Sequence, residues 1–371
     1  MRHLLRASAV LPAIAAAALV APVSAGGSGP FLEQHTHVVV GPSTVPANGD
    51  VNPYGVAVVH RSTGLLHSGD VLVSNFNNSA NLQGTGSTIV DVAPNGSVSV
   101  FAQLDAAHLP GACPGGVGLT TALVVLRSGW VVVGSLPSSD GTSANMKAGC
   151  LIVIDSHGRP VETLSGGAIN GPWDMTAVES EDGATLFVTN VLNDTVKNGQ
   201  NVTNKGTVLR IGLRLDGSRP REAGRTVIAS GLGERTDPSA LVVGPTGVGM
   251  AGDGTLYLAD SVNSRIAAIP DALGRHTSAG VGRDVTKGGF VNDPLGLAIA
   301  PNGDVLTVNG ADGNIVETTP GGAQVAHELI DSSTTPESPP GAGALFGIAI
   351  APRGAGVYFV DDATNNLDLL R

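Results

Sequence analysis

Residues 244–269 read GPTGVGMAGDGTLYLADSVNSRIAAI, and the punctuation of this stretch decides the fold. Pro245-Thr246-Gly247 opens a short apolar run, and Gly252-Asp253-Gly254 turns the chain. A second run, 255–259, ends in Asp260, and a polar turn leads into a third, 265–269. Short apolar runs bounded by Gly- and Asp-containing turns read as antiparallel strands. Asp-Gly between such runs is a strong hairpin signal.

The rest of the chain is imperfect copies of this unit. The Pro-x-Gly opening returns as Pro53-Tyr54-Gly55 and Pro294-Leu295-Gly296, and without proline as Leu345-Phe346-Gly347. Val117-Gly118 and Pro172-Trp173-Asp174 are degenerate copies, giving six openings spaced by roughly 50 to 70 residues. Each is followed by a second strand ending in a small polar residue: 71–75, 131–135, 186–190, 256–260, 305–309 and 357–361. Third strands follow at 87–93, 150–155, 206–211, 265–269, 314–318 and 367–370, and fourth strands at 98–103, 161–164, 226–229 and 324–329. Three or four strands per unit, six times over, predicts an all-β, six-bladed β-propeller. The sixth unit has no room for a fourth strand, while a spare strand at 35–40 precedes the first. That N-terminal strand is expected to close the last blade, because an open ring would leave sheet edges free to pair. Three polar insertions, 77–86, 138–149 and 193–205, all lie between second and third strands and so belong on one face. Residues 336–343 form a stiff Pro-rich linker, and one domain runs from 31 to 371.

Residues 1–25 carry Arg2, His3 and Arg6, an apolar segment over 11–20, and Val23-Ser24-Ala25. This is the pattern of a secretory signal peptide with cleavage after Ala25, which predicts a secreted or periplasmic protein. No later stretch approaches the ~20 apolar residues of a membrane-spanning helix. The formal charge is −11, and losing Arg2 and Arg6 takes it from −11 to −13. With no basic cluster, nucleic acid is excluded as an expected partner. A small molecule or a protein or peptide partner is expected instead, with a monomeric chain. The two cysteines, Cys113 and Cys150, are expected to form a disulfide in an exported protein.

The repeat resembles the NHL repeat, carried most closely by Gly247-Val248, Gly254-Thr255-Leu256-Tyr257-Leu258-Ala259-Asp260 and Asn263-Ser264-Arg265-Ile266. Similar six-bladed propellers include the SMP-30/gluconolactonase group of the TolB-like superfamily. That resemblance implies a divalent cation held in the central channel by Asn and Asp just before the opening Gly, and by a Glu near the first blade. The matching positions here are Tyr54, Val117, Trp173, Thr246, Leu295 and Phe346. None is a hard oxygen ligand of the kind such a cation requires, so no cofactor is expected from these positions. Asp260, Asn190, Asn309 and Asp361 end second strands, where such side chains accept hydrogen bonds from the following turn. The histidines are scattered, and His35 and His37 share one face of a solvated outer strand.

The chain has few aromatic residues, yet Tyr54, Trp173 and Phe346 fill three of six equivalent positions. Facing the channel mouth with Leu295 and Val117, they form either a hydrophobic plug or an aromatic wall for an apolar or cationic ligand. Asp174 and Asp293 add acidic points nearby. The function expected is a binding or interaction scaffold with no catalytic residues; the alternative is a hydrolase or lyase, lactonase-like or lyase-like, working at the channel mouth.

Overall fold

A computed structural model describes residues 29–333 and 338–371; the expected signal peptide and the first part of the 336–343 linker lie outside it. Six antiparallel sheets follow one another along the chain. Their innermost strands are Val51–Val58, Leu119–Val125, Pro172–Glu179, Pro245–Met250, Pro294–Ile299 and Leu345–Ile350. Each packs against the next, and the sixth against the first, so the sheets are the blades of a closed six-bladed propeller. Among the described residues no helix is long and apolar enough to cross a membrane.

The fourth strand of blade six comes from the N-terminus. Val38 and Val39 pair with Leu370 and Leu369. His37 and Arg371 exchange backbone hydrogen bonds of 2.9 Å in both directions. Upstream, the Phe31 and Leu32 amides donate to the two carboxylate oxygens of Glu317 at 2.7 and 2.8 Å. Glu317 is fully buried in blade five, and the Phe31 and Leu32 side chains are buried with it. Closure is therefore a strand pairing plus a charge-assisted anchor on the neighbouring blade.

Every inner strand breaks register at its opening, as between Pro53 and Gly55, Pro245 and Val248, or Pro294 and Leu297. In blades four, five and six the opening glycine at this break lies against the backbone of the next blade. A Cβ built on Gly247, Gly296 or Gly347 would stand 2.1, 2.1 or 2.2 Å from the carbonyl oxygen of Leu295, Phe346 or Tyr54, respectively. No side chain fits there without moving the blade. Hydroxyls of the second strands reinforce the same seam. Ser74 Oγ accepts from Gly55 N and donates to the Thr120 carbonyl, and Thr189 Oγ1 does the same between Asp174 N and the Thr246 carbonyl.

Three details differ from the sequence reading. In blade two the first pair is Leu119 with Ser135, which puts Thr120 where Val117 was expected. Thr120 Oγ1 donates to the Pro172 carbonyl just as Thr246 Oγ1 does to Pro294, confirming the equivalence. Blade four has a fourth strand, Arg283–Lys287, whose charged, solvated edge character hid it. Blade three is much longer than its apolar runs suggest: Thr203–Arg214 pairs with Arg221–Asp237, and Leu241–Val243 adds a fifth strand. Cys113 and Cys150 are joined, fastening the connection from blade one to the third strand of blade two.

Deleting residues 31–42 removes two buried apolar side chains, worth about 1.5–3 kcal/mol each, and strands the Glu317 carboxylate. The melting temperature should fall by roughly 5–10 °C in differential scanning calorimetry. Glu317→Ala should reproduce part of that loss, and an unchanged melt in both variants would contradict this account of closure.

Candidate functional site: a central cavity closed at one end

At the end of the channel where the inner strands begin, the six opening side chains are Tyr54, Thr120, Trp173, Thr246, Leu295 and Phe346. The aromatic ones meet. Tyr54 stacks on Phe346 with ring centroids 3.9 Å apart and on Phe76 at 4.4 Å, and Trp173 presents an edge to Tyr54 at 5.7 Å. All four rings are buried. Leu241 and Val242, from the extra strand of blade three, join the same apolar cluster with Leu136 and Met146 of blade two. The segment leading into that strand is tied across the ring. Gln83 Nε2 of blade one donates to the Ser239 carbonyl, and Ser143 Oγ of blade two to the Asp237 carbonyl. The insertions between second and third strands thus gather on this face, as their position predicted, and blade three supplies a cap over them.

Beside the cluster are Asp237, Asp293 and Asp362, with Arg235 bonded to Asp237 at 2.6 Å. Burial first, then the charges of Asp362 and Asp237, push the Tyr54 hydroxyl well above its ordinary range. Burial raises Asp293 to about 6 although Arg235 pulls the other way. Asp362 rises to about 7 through burial and the neighbouring Asp361.

Past the opening positions the channel widens into a cavity of about 1060 Å³. Val56, Leu123, Val248, Met250, Leu297 and Ile348 supply apolar wall from five blades, and blade three adds Met175 and Val178 together with the polar Asp174 and Thr176. The rim carries exposed His60, Arg127, Asp253 and Asp271, and the half-buried Glu179. Glu179 accepts the Arg127 amide with both carboxylate oxygens, at 2.9 and 3.0 Å.

Asp174 is the one titratable group on the inner wall. It occupies the opening-glycine position of blade three, two residues after Pro172, so a carboxyl stands where blades one, four, five and six have glycine. Oδ1 accepts from Met175 N at 2.7 Å and Oδ2 from Val248 N of blade four at 3.1 Å. Those two amides favour the anion, but desolvation outweighs them and raises the carboxyl to about 8. Burial thus biases this carboxyl toward its protonated form at neutral pH.

The residues singled out from the sequence therefore separate. Tyr54, Trp173 and Phe346 form one buried cluster, Asp293 stands beside it, and Asp174 lines the cavity. Thr176 and the rim groups Arg127 and Glu179 escaped the sequence reading; polar residues inside otherwise apolar inner strands were the only available signal. Of the strand-ending residues, Asp260 and Asp361 accept from the turn that follows as expected, whereas Asn190 and Asn309 accept from amides that precede their blade's inner strand. Asp260 accepts from Asn263 Nδ2 and Arg265 Nε, Asn309 Oδ1 from Asn292 N, Asn190 Oδ1 from Asn170 N, and Asp361 Oδ1 from Thr364 N.

No family model matches this chain, and no curated protein matches it. Solved structures do. A gluconolactonase from Xanthomonas campestris superposes with a TM-score of 0.54 at 13% identity, over 92% of each chain. Regucalcin from Agrobacterium tumefaciens, described as a calcium-binding protein, gives 0.56 at 12% identity, over 90% of this chain and 95% of its own. A luciferin-regenerating enzyme gives 0.54 at 13%, over 90% and 94%. The protein is a six-bladed propeller of the SMP-30/gluconolactonase shape, at an identity that fixes the fold alone.

The Asp174 carboxyl has a direct stability consequence. In the unfolded chain it titrates near 3.9, in the folded one near 8. Between those values the unfolded state loses a proton that the folded state keeps, so stability falls as pH rises from about 4 to about 8, and no difference exists below about 4. Asp174→Asn cannot ionise. Its stability relative to wild type should improve by an order of several kcal/mol across that window, read from denaturant melts at pH 4, 6 and 8. Parallel pH profiles for the two proteins would show that Asp174 ionises freely.

Proposed function

We propose that this chain acts on a small organic molecule held in the central cavity, in the manner of a hydrolase or a lyase, with Asp174 as the acid that meets it. The observation carrying this reading is a buried carboxyl, Asp174, on the inner wall of a cavity of about 1060 Å³, where burial raises its pKa. A carboxyl whose pKa lies near the working pH is suited to general acid catalysis, giving its proton to a leaving oxygen or nitrogen. Val56, Leu123, Val248 and Leu297 would hold the carbon skeleton and exclude water. Arg127, Glu179 and Asp253 at the rim would select the polar end of the molecule. The enzymatic descriptions of the similar solved propellers, a gluconolactonase and a luciferin-regenerating enzyme, support the general class and no particular substrate. Export through residues 1–25 forms part of the same proposal, with the substrate met outside the cytoplasm.

A second reading, a scaffold that binds without turnover, is favoured by the side chains at the positions where the lactonase resemblance implies oxygen ligands. There the chain has Tyr54, Trp173, Leu295 and Phe346, packed on one another and capped. A panel of lactones, esters and glycoside-like ethers separates the two readings. Under the enzymatic one, a compound turned over by wild type loses 10²–10⁴-fold in kcat in Asp174→Asn while its affinity by calorimetry stays within about threefold. Met250→Trp, which fills the cavity, should abolish both. Tight binding with no turnover by either protein would favour the scaffold, and binding indifferent to Met250→Trp would remove the cavity from both.

A further inference from the structure

Blade one contains a second group of chemically active side chains, away from the inner wall of the channel. The wide turn between its first and second strands stitches back on itself: Val59 N donates to the Asp70 carbonyl, Gly69 N to the Val59 carbonyl, and Ser68 Oγ to the His60 carbonyl. That turn brings His67 and Asp70 against Asp91 of the third strand, Thr88–Val92. One ligating atom from each of the three lies within 4.8 Å of the others. His67 Nδ1 is 3.4 Å from Asp70 Oδ2. Asp70 is 5% and Asp91 8% exposed, and Asp91 Oδ1 is buried with no hydrogen-bond partner.

Two carboxylates this close repel one another, and burying one oxygen without a donor carries a further desolvation cost. Among the described residues, no lysine or arginine pairs with either carboxylate. A bound cation resolves both costs at once. We propose that His67, Asp70 and Asp91 form a site for a divalent transition-metal ion, with Zn²⁺ the best fitted. Zinc accepts imidazole nitrogen and carboxylate oxygen at about 2.0–2.2 Å, and three protein ligands with water in the fourth position is a familiar arrangement for it. Calcium would need six to eight oxygens, more than this cluster supplies, and an imidazole donor points away from calcium and magnesium. His67 has 69% of its side chain exposed, so the ion reaches the site from solvent and the water position faces outward.

Binding would fasten the turn to the third strand of the same blade. Its effect extends to the central cavity, because the same turn carries His60 to the rim. The ion thus fixes the position of one rim residue from the outside, and this holds whether the cavity catalyses a reaction or only binds. The sequence hides the site: His67 and Asp70 are three apart in a turn, and only strand pairing brings Asp91 to them.

Titration of metal-stripped protein with ZnCl₂ at pH 7, read by calorimetry and by melting, tests the assignment. One equivalent should bind, and at a hundredfold excess over Kd the melting temperature should rise by roughly 3–5 °C. Asp91→Asn and His67→Ala should each weaken binding at least about tenfold, and CaCl₂ should give no shift. If Asp91→Asn fails to fold, His67→Ala carries the test, since its side chain is largely in solvent. No saturable zinc binding would overturn the proposal and leave Asp70 and Asp91 sharing a proton. Wild-type affinity in either variant would also overturn it, assigning the zinc to exposed histidines elsewhere, and a preference for calcium would overturn the metal named.

Discussion

The propeller depends on one close approach, made at four of its six junctions: the opening glycine of an inner strand against a carbonyl of the next blade. At Gly247, Gly296 and Gly347 the space a Cβ would need is already taken by backbone oxygen. Glycine is the residue that permits such contact between main chains. The contact coincides with the register break at the openings of blades one, four, five and six. It sets how near six twisted sheets come to their common axis, and hence how much room remains inside. The Ser74 and Thr189 hydroxyls span the same seam and satisfy groups that the break would otherwise leave buried and unpaired.

Two junctions depart from this rule, and blade two has Thr121 at its glycine position. Blade three has Asp174 in place of the glycine, and its carboxyl reaches across to the Val248 amide. A polar group takes over a role that packing fills elsewhere, and it does so on the wall of the cavity. At the other end of the channel four of the opening side chains, Tyr54, Trp173, Leu295 and Phe346, are large and apolar, and they close on themselves beneath the extra strand of blade three. Together these departures give the channel one sealed end and one open end. A propeller of the same overall shape with small or oxygen-bearing opening residues would have the sealed end accessible.

The number of blades was legible in the sequence because it rests on local signals: Pro-x-Gly openings, Asp-Gly and Asn-Gly turns, and apolar runs of strand length. The closing strand followed from counting, since the sixth unit lacks an outer strand and the N-terminus has one to spare. Outer strands were less legible, as Arg283–Lys287 shows, because an edge facing water needs few apolar residues. Blade two was misread by three residues because its true opening, Leu119-Thr120-Thr121, has neither proline nor glycine. The aromatic cluster was legible as a set of equivalent positions, but its burial depends on the strand Leu241–Val243, which carries no repeat signature. Asp174 was visible as an acid beside Trp173, yet which end of the channel it serves depends on strand direction and the cap. His67, Asp70 and Asp91 come together only through pairing of neighbouring strands, which spacing along the chain does not express.

The anchoring of Phe31 and Leu32 on Glu317 bears on the order of events during folding. Gly41 and Asp368, bonded in the finished blade six, are 327 positions apart in the chain. Each of blades one to five draws its strands from one continuous stretch and can form as that stretch becomes available. Blade six alone must wait until both distant segments are present, and joining them carries the largest loop-closure entropy in the molecule. Until then blade five holds a buried glutamate without two of its amide partners, and the side of blade six that the N-terminal strand will cover stays open. Cooperativity is thereby built into the last step: the ring has little reason to persist in part, and the segment near residue 31 acts as the latch that makes assembly complete.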